Sequence, residues 1–161
     1  MSDDDGIQVP AGLTTEGLLG RRYLARFIDS LILTAVSFAI IRTIGPGWTT
    51  VGILLVLWVA YGGILESSPW QATIGKRVMG LRVYDTAGER LDIARAGGRS
   101  LVKDGPFIIL GLIPAGNLLA LVWVGAHVVV VQRSLYSQAI HDRVIGTWVA
   151  AQESTTQLRL T

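Results

Sequence analysis

Hydrophobic residues in this chain form long runs instead of alternating with polar residues. A helix needs about 20 mostly apolar residues to cross the hydrocarbon core of a bilayer. Residues 24–44 meet this length with three charged members, and residues 48–66 carry a charge only at the last position. The turn residues Gly45-Pro46-Gly47 separate the two runs. The pattern predicts two transmembrane helices joined by a tight turn.

The third hydrophobic region is open to two interpretations. Residues 105–131 contain no Asp, Glu, Lys or Arg, and one tilted helix could use most of them. Turn residues at 114–117 favour two spans instead, at about 93–113 and 117–132. Basic residues favour the cytoplasmic side of a membrane. With four spans, Arg42 is the one basic residue of 14 that lies on the opposite side. We predict an all-α membrane protein with a bundle of four transmembrane helices, three being the alternative, and both termini cytoplasmic.

A charged segment, residues 67–104, separates the second and third predicted spans. Within it, residues 81–84 and 91–93 alternate between apolar and polar positions, and residues 85–88 supply turn chemistry. The pattern indicates a short basic cytoplasmic segment that forms either a small β-hairpin or an irregular loop.

Composition agrees with a membrane location. The chain is 50% hydrophobic and 16% charged, whereas ordinary soluble domains are about 25% charged. A net charge of +2 is too small to indicate a nucleic-acid partner, and the absence of cysteine excludes disulfides. Three aspartates near the start replace the basic region of a secretory signal. Residues 1–16 and 151–161 are predicted to be disordered tails around a membrane domain at 17–150.

Three sequence pieces occur in the order that one known family shows. They are Arg22–Asp29, Thr73–Val83 and Ile140–Thr147, and apolar runs separate them. In this order they resemble the RDD family of small polytopic bacterial membrane proteins, over about residues 17–150. The resemblance implies a multi-pass protein of the cell membrane, and transport roles have been proposed for the family. It places the naming residues of the family on Arg22, Asp29 and Asp142.

Arg22, Arg26 and Asp29 share one face of the first predicted helix. Successive helical residues turn by about 100°, which leaves Arg22 and Asp29 within about 20° of each other and roughly 10 Å apart along the axis. An aspartate at the centre of a spanning segment costs about 2.5 to 3.5 kcal/mol, and therefore avoids lipid. Two interpretations stay open. Asp29 pairs with the arginines near the interface, or it is a cation- or proton-binding carboxylate that faces the bundle interior.

Two further acidic residues are candidates for the same polar site. Glu66 ends the second span at about the depth of Arg22 and Arg26, so either a bridge to one of them or a solvated helix end fits the sequence. Asp142 follows the last span, and our hypothesis is that it returns to the basic face near Arg22. The polar motif and possible ion site of the family then consists of Arg22, Arg26, Asp29, Glu66 and Asp142.

A basic cluster in the charged segment, Lys76, Arg77 and Arg82, is predicted to contact anionic lipid headgroups or a soluble partner. The dipeptide Gly75-Lys76 does not complete a phosphate-binding loop, because Trp70 and Arg77 occupy the positions that need glycine and a hydroxyl residue. The cluster therefore indicates a surface contact and not a nucleotide site.

No catalytic pattern is present in the sequence. It contains no spacing typical of a hydrolase triad, a paired-histidine metal site or a dinucleotide-binding glycine loop, so we expect no enzyme activity, no cofactor and no metal. His127 is predicted to pack or to hydrogen-bond between helices. Two functions remain open. The protein is a cation or small-solute transporter component that acts as a homo-oligomer or membrane complex, or it is a scaffold or accessory subunit that binds lipid or a protein partner.

Overall fold

The computed structural model describes residues 12–110, 122, 125, 126, 129, 130 and 139–152. Its elements, in chain order, are β1 (Leu13–Thr14), α1 (Leu19–Ile44), α2 (Trp48–Ser67), α3 (Ile74–Val78), β2 (Leu81–Asp85), α4 (Ile93–Leu110), α5 (Ile140–Ile145) and β3 (Thr147–Gln152). The predicted span at 117–132 falls largely outside the described residues, and His127 lies outside them.

Helices α1 and α2 contain the two long apolar runs. They have 26 and 20 residues, which at 1.5 Å per residue gives about 39 and 30 Å, against a hydrocarbon core of about 30 Å. In the most apolar window of each helix only 17% of the residues are buried. Large side chains such as Phe27, Phe38, Val56 and Ile64 are more than half exposed. Both helices therefore have the length and the outward apolar surface of membrane-spanning helices.

Helix α4 packs closely along α2 through small residues. A Cβ atom added at Gly62 would lie 2.0 Å from Ser100 Oγ, and one added at Gly63 would lie 3.2 Å from Gly97 Cα. Small residues allow such close approach of two helix backbones. The third predicted span, 93–113, corresponds largely to α4. Among the described residues, however, the helices long and apolar enough to cross a membrane are α1 and α2.

A three-stranded antiparallel sheet packs against the beginnings of α1 and α4, with the strand order β1-β3-β2. The register pairs Leu81 with Ala151 and Tyr84 with Trp148, so alternate residues face opposite sides. One side joins a buried core of Leu18, Ala25, Leu81, Val83, Leu91, Ala96, Val149 and Ala151. On the other side, the rings of Tyr84 and Trp148 stack with centroids 5.0 Å apart. We call β1, α3, β2, α5 and β3 together the sheet module.

The β-hairpin considered for the charged segment is wrong in its second strand. The turn after Asp85 does form, with Gly88 N–H donating to the Asp85 carbonyl over 3.0 Å. Residues 91–93 lead into α4 instead, where Asp92 Oδ1 accepts from Arg95 N–H over 2.8 Å as a helix N-cap does. Strand β2 pairs with β3, which offers a longer ladder and an aromatic partner. The fold is therefore mostly helical with a small sheet, and the all-α prediction is wrong in that respect.

The sheet also revises the chain ends. Leu13 pairs with Gln152, so the predicted tails, 1–16 and 151–161, are wrong for the residues that form β1 and the end of β3. Residues 1–11 and 153–161 lie outside the described part of the chain. An open sheet does not lie within lipid, so β1 and β3 share one side of any membrane that the helices cross. The number of spans, four or three, stays a prediction, because most of residues 111–138 lie outside the described part of the chain.

Candidate functional site

Five charged side chains meet where the sheet module joins the helices. They come from five different elements: Arg22 of α1, Glu66 of α2, Lys76 of α3, Arg99 of α4 and Asp142 of α5. We call these residues the ion-pair network. The side chains of Arg22 and Lys76 are 14% exposed, and the other three are at most 1% exposed. Charges so far from water need partners, because their hydration has been lost.

Asp142 is enclosed by donors. Its Oδ2 accepts from Arg22 over 2.6 Å and from Ala139 N–H over 3.0 Å, and its Oδ1 accepts from Arg99 Nε over 2.8 Å. Burial by itself would raise the pKa of Asp142, but the guanidinium groups of Arg99 and Arg22 help to hold it well below its ordinary range. The carboxylate therefore stays charged and joins α5 to α1 and α4. The contact with Arg22 is the one that the sequence hypothesis proposed.

Arg99 connects two carboxylates. Its Nη1 donates to Glu66 Oε2 over 2.6 Å, while its Nε donates to Asp142. Lys76 Nζ donates to the other oxygen of Glu66 over 2.5 Å. Burial and the nearby Arg99 lower the pKa of Lys76, and the Glu66 carboxylate opposes this change. Both sequence interpretations of Glu66, an arginine partner on α1 or a solvated helix end, are wrong because α3 and α4 bring cations to it first.

Arg26 pairs with a third buried carboxylate. Its Nη2 donates to Asp104 Oδ1 in α4, and its guanidinium carbon lies 5.7 Å from the ring centroid of Trp58. Lys103 Nζ lies 3.4 Å from the second oxygen of Asp104, which is 1% exposed. This ion pair ties α1 to α4, and it directs Arg26 away from Asp29.

Asp29 has a different environment, in which every described donor is uncharged. Its Oδ1 accepts from Tyr61 OH over 2.6 Å and from Gly75 N–H over 2.8 Å, and its Oδ2 accepts from Thr73 Oγ1 over 2.5 Å. The residue is 4% exposed and forms no ion pair with any described residue. We call these four residues the Asp29 cradle. The interpretation that Asp29 pairs with Arg22 and Arg26 is therefore wrong, because the three residues on this face of α1 have separate partners.

The Asp29 cradle fixes α3 against α1. Ile74 N–H donates to Tyr61 OH over 3.3 Å, and Gly75 N–H donates to Asp29, so two of the free amides at the start of α3 have partners. A Cβ atom added at Gly75 would lie 2.1 Å from the Ala25 carbonyl oxygen, so glycine is required there. A carboxylate at the start of a helix is also favoured by the helix dipole. With three donors, the Asp29 carboxylate has filled most of its about four acceptor positions.

Of the three basic residues predicted to contact lipid, two line one pocket and the third is turned away from it. Lys76 turns inward to Glu66. Arg77 is exposed, with its guanidinium carbon 3.9 Å from the ring centroid of Trp70, and Arg82 is exposed on β2. Both arginines line an open pocket whose other lining residues are Leu13, Pro69, Trp70, Ala72, Gly80, Leu81, Tyr84 and Ala150. Lipid contact by Arg77 and Arg82 stays a prediction.

Sequence reasoning missed two charged residues of the site, Arg99 and Asp104. Both lie in the charged segment 67–104, where the sequence pattern indicated a contact only for Lys76, Arg77 and Arg82. Both residues come shortly before the apolar run that starts at residue 105. This position could have indicated a buried role, because ionisable residues on a helix that continues into an apolar run need partners. Tyr61 and Thr73 gave no comparable signal, since uncharged polar residues are common in helices and loops. Among the described residues, no group of three His, Asp or Glu side chains is placed to hold a metal ion.

The two outward-facing apolar helices, with buried polar contacts at one end, define a small and mostly helical membrane protein. The family model described as RDD family matches residues 17–146. The chain belongs to the RDD family, which confirms the resemblance drawn from its three sequence pieces. The match begins just before α1 and ends just before β3.

One relative comes from Bacillus subtilis (strain 168), where it is named uncharacterized protein YxaI. It is 30% identical to this chain, and the alignment covers 57% of this chain and 76% of the relative. No solved structure matches this chain. These comparisons define the family and its association with the membrane.

Proposed function

We propose that this protein is a non-enzymatic membrane scaffold whose sheet module binds an anionic lipid or a protein partner. The observation that carries this proposal is that the charged groups of the site are already paired with one another. Each residue of the ion-pair network, and Asp29 as well, has a partner within the same chain. A substrate site needs free polar groups or a cavity, whereas a structural junction does not. The polar residues then join the helices to the sheet module. The outer surface of that module binds the lipid or the protein partner.

We further infer four transmembrane helices with both chain ends in the cytoplasm. The pairing of β1 with β3 supports an even number of crossings, and two apolar regions follow α2 in the sequence. Basic residues are frequent in and around the sheet module, which favours its cytoplasmic location. A reporter enzyme fused after Thr161 is expected to be active in the cytoplasm. A periplasmic signal would contradict this topology.

Transport of a cation or small solute is the second candidate function, and one observation favours it. Among the described residues, Asp29 is a buried carboxylate whose donors are all uncharged, so a proton or cation could exchange there without opening an ion pair. Four helices are few for a carrier built from repeats, so this function implies a homo-oligomer or a larger membrane complex. The 4% exposure of Asp29 ranks transport below the scaffold function.

Reconstitution into proteoliposomes distinguishes the two functions. Wild-type protein is assayed for Na⁺ and H⁺ flux beside Asp29→Asn and beside Glu89→Gln, which alters an exposed carboxylate between β2 and α4 as the matched control. The scaffold function predicts flux no greater than that of empty liposomes for all three proteins. Flux in the wild type and in Glu89→Gln that disappears in a folded Asp29→Asn protein would overturn the scaffold function in favour of transport.

A further inference from the structure

An open pocket of about 370 Å³ lies between one face of the sheet, helix α3 and the connection that precedes α3. Trp70 lines it from the connection between α2 and α3, Arg77 lines it from α3, and Arg82 and Tyr84 line it from β2. We propose that this pocket binds the phosphate group of an anionic phospholipid. The inference rests on the proposed scaffold function, for which it names the partner and its site.

Arg77 and Arg82 bring two guanidinium groups to one opening. Both are exposed, and neither forms an ion pair with a described carboxylate. Arg22, Arg26 and Arg99, by contrast, each donate to an aspartate. Guanidinium groups present a planar fork of N–H donors that matches two phosphate oxygens, and two of them in one concave site attract anions. The pocket thus has the charge and the donor type that a phosphate group requires.

Trp70 fixes the position of Arg77. The distance of 3.9 Å between the guanidinium carbon and the ring centroid is well within the range of about 6 Å for a cation–π contact. The ring covers one face of the guanidinium, and the N–H groups around its edge are left to bind a ligand. Trp70 is 46% exposed and follows the end of α2 at Ser67 by three residues. Tryptophan in this position is typical of the headgroup level of a bilayer.

The surroundings of the pocket favour a lipid over free phosphate. The helix that carries Arg77 also exposes Ile74 and Val78, which are 39% and 62% exposed. These residues are four apart and therefore share one side of α3. A ligand with both a phosphate and acyl chains satisfies the charged pocket and the apolar helix side together. The volume of about 370 Å³ also falls in the range of about 300 to 1,000 Å³ typical of ligand sites.

Calorimetric titration of the full chain in a nonionic detergent tests the proposal. The titrants are dioctanoyl phosphatidylglycerol, dioctanoyl phosphatidylcholine and inorganic phosphate. The proteins are the wild type, the double variant Arg77→Gln/Arg82→Gln, and Arg90→Gln, an exposed arginine outside the pocket. We expect phosphatidylglycerol to bind tightest, the double variant to bind it at least about tenfold more weakly, and Arg90→Gln to bind it as the wild type does. Melting temperatures check that the variants are folded. We expect them to match the wild type, because substitutions of exposed residues change stability little.

Three results would overturn the site. Undiminished phosphatidylglycerol binding by the double variant would exclude the pocket while leaving a lipid-binding scaffold in place. Equal binding of phosphatidylcholine would remove the requirement for an anionic lipid. Inorganic phosphate bound as tightly as phosphatidylglycerol would overturn the lipid as the source of the phosphate. Failure of the scaffold function itself is a separate result, because it is read from the Asp29-dependent flux in proteoliposomes.

Discussion

The ion-pair network and the Asp29 cradle hold buried carboxylates by opposite means. In the network, Asp142 and Glu66 each accept hydrogen bonds from two cationic side chains. In the cradle, Asp29 accepts from two hydroxyl groups and one backbone N–H. Network members have lost their hydration in exchange for countercharges, so each depends on the others. No described cation depends on Asp29.

This difference assigns the two regions different structural tasks. The ion-pair network joins five elements, so the loss of one member affects the whole junction between helices and sheet module. The Asp29 cradle positions the short helix α3 on α1 and α2, so its loss affects α3 first. Substitutions in the two regions test this contrast.

Arg99→Gln is expected to be the most damaging change. It leaves Glu66 and Asp142 buried without their shared cation, and breaking a buried ion pair in this way costs about 3 to 5 kcal/mol. Arg95→Gln on the same helix is the matched control, because Arg95 is 52% exposed and its pair with Asp85 is a surface salt bridge worth less than about 1 kcal/mol. Unfolding in detergent micelles measures both losses. Similar losses for the two variants would contradict the buried role of Arg99.

Asp142→Asn and Asp29→Asn compare the two regions directly. Asp142→Asn removes the charge that Arg22 and Arg99 share, whereas Asp29→Asn exchanges one acceptor among neutral partners. We expect the second change to cost about 1 to 3 kcal/mol, the range for a buried hydrogen-bonding mismatch, and the first to cost more. Melting temperatures of both variants in one detergent give the order. The reverse order would mean that the cradle bears more of the stability than the network.

Gly75→Ala tests the close contact of α3 with α1. The added Cβ would lie 2.1 Å from the Ala25 carbonyl oxygen, and such overpacking costs about 1 to 3 kcal/mol. Gly20→Ala in α1 is the control, because a Cβ there meets no atom within 4 Å and alanine favours a helix by about 0.5 to 1 kcal/mol. Hydrogen exchange should show faster exchange in α3 for the first variant alone. An unchanged α3 in Gly75→Ala would show that the contact is loose.

Below neutral pH, the pH dependence of stability is expected to come first from His141. Burial lowers the pKa of His141 well below its ordinary value, Asp142 opposes this, and the cations Arg99, Lys103 and Lys76 reinforce it. The unfolded chain binds a proton near pH 6.5 and the folded protein does not, so stability present above that pH is lost as pH falls, by up to about 1.4 kcal/mol per unit. The melting temperature should therefore fall between about pH 6.5 and pH 5.

The control for this pH effect is His141→Gln, which has no titrating ring. Its melting temperature should change less over the same interval. Asp142 does not interfere there, because its pKa is held well below the ordinary value and its contribution is lost only below about pH 4. Parallel curves for the wild type and His141→Gln would rule out the histidine as the source.

Helices α1 and α2 were predictable because a membrane-spanning helix needs only a local run of apolar residues. The proximity of Arg22 and Asp142 could be proposed because both belong to one family motif, although 120 residues separate them. The partners of Asp29 could not be deduced in this way. Thr73 and Gly75 are uncharged and lie 44 and 46 residues further along, and only the packing of α3 brings them to α1.

The strand that pairs with β2 was not predicted, for a similar reason. A hairpin is a local structure, so residues 81–93 suggested one from alternation and turn chemistry alone. The actual partner of β2 lies more than 60 residues away, with Asp85 opposite Thr147. Strand pairing over such a distance is decided by the arrangement of the intervening helices and by the stacking of Tyr84 on Trp148. A single sequence does not encode this choice in any local pattern.

The strand order β1-β3-β2 makes biosynthesis of this protein directional. Strand β3 is central in the sheet but follows every described helix in the chain. At about 5 to 20 residues per second on the ribosome, β1 and β2 emerge several seconds before the strand that joins them. During that interval Arg22 still lacks its partner Asp142. The growing chain therefore carries unmatched charge and open strand edges, which can pair with other chains, until translation of β3 closes the sheet.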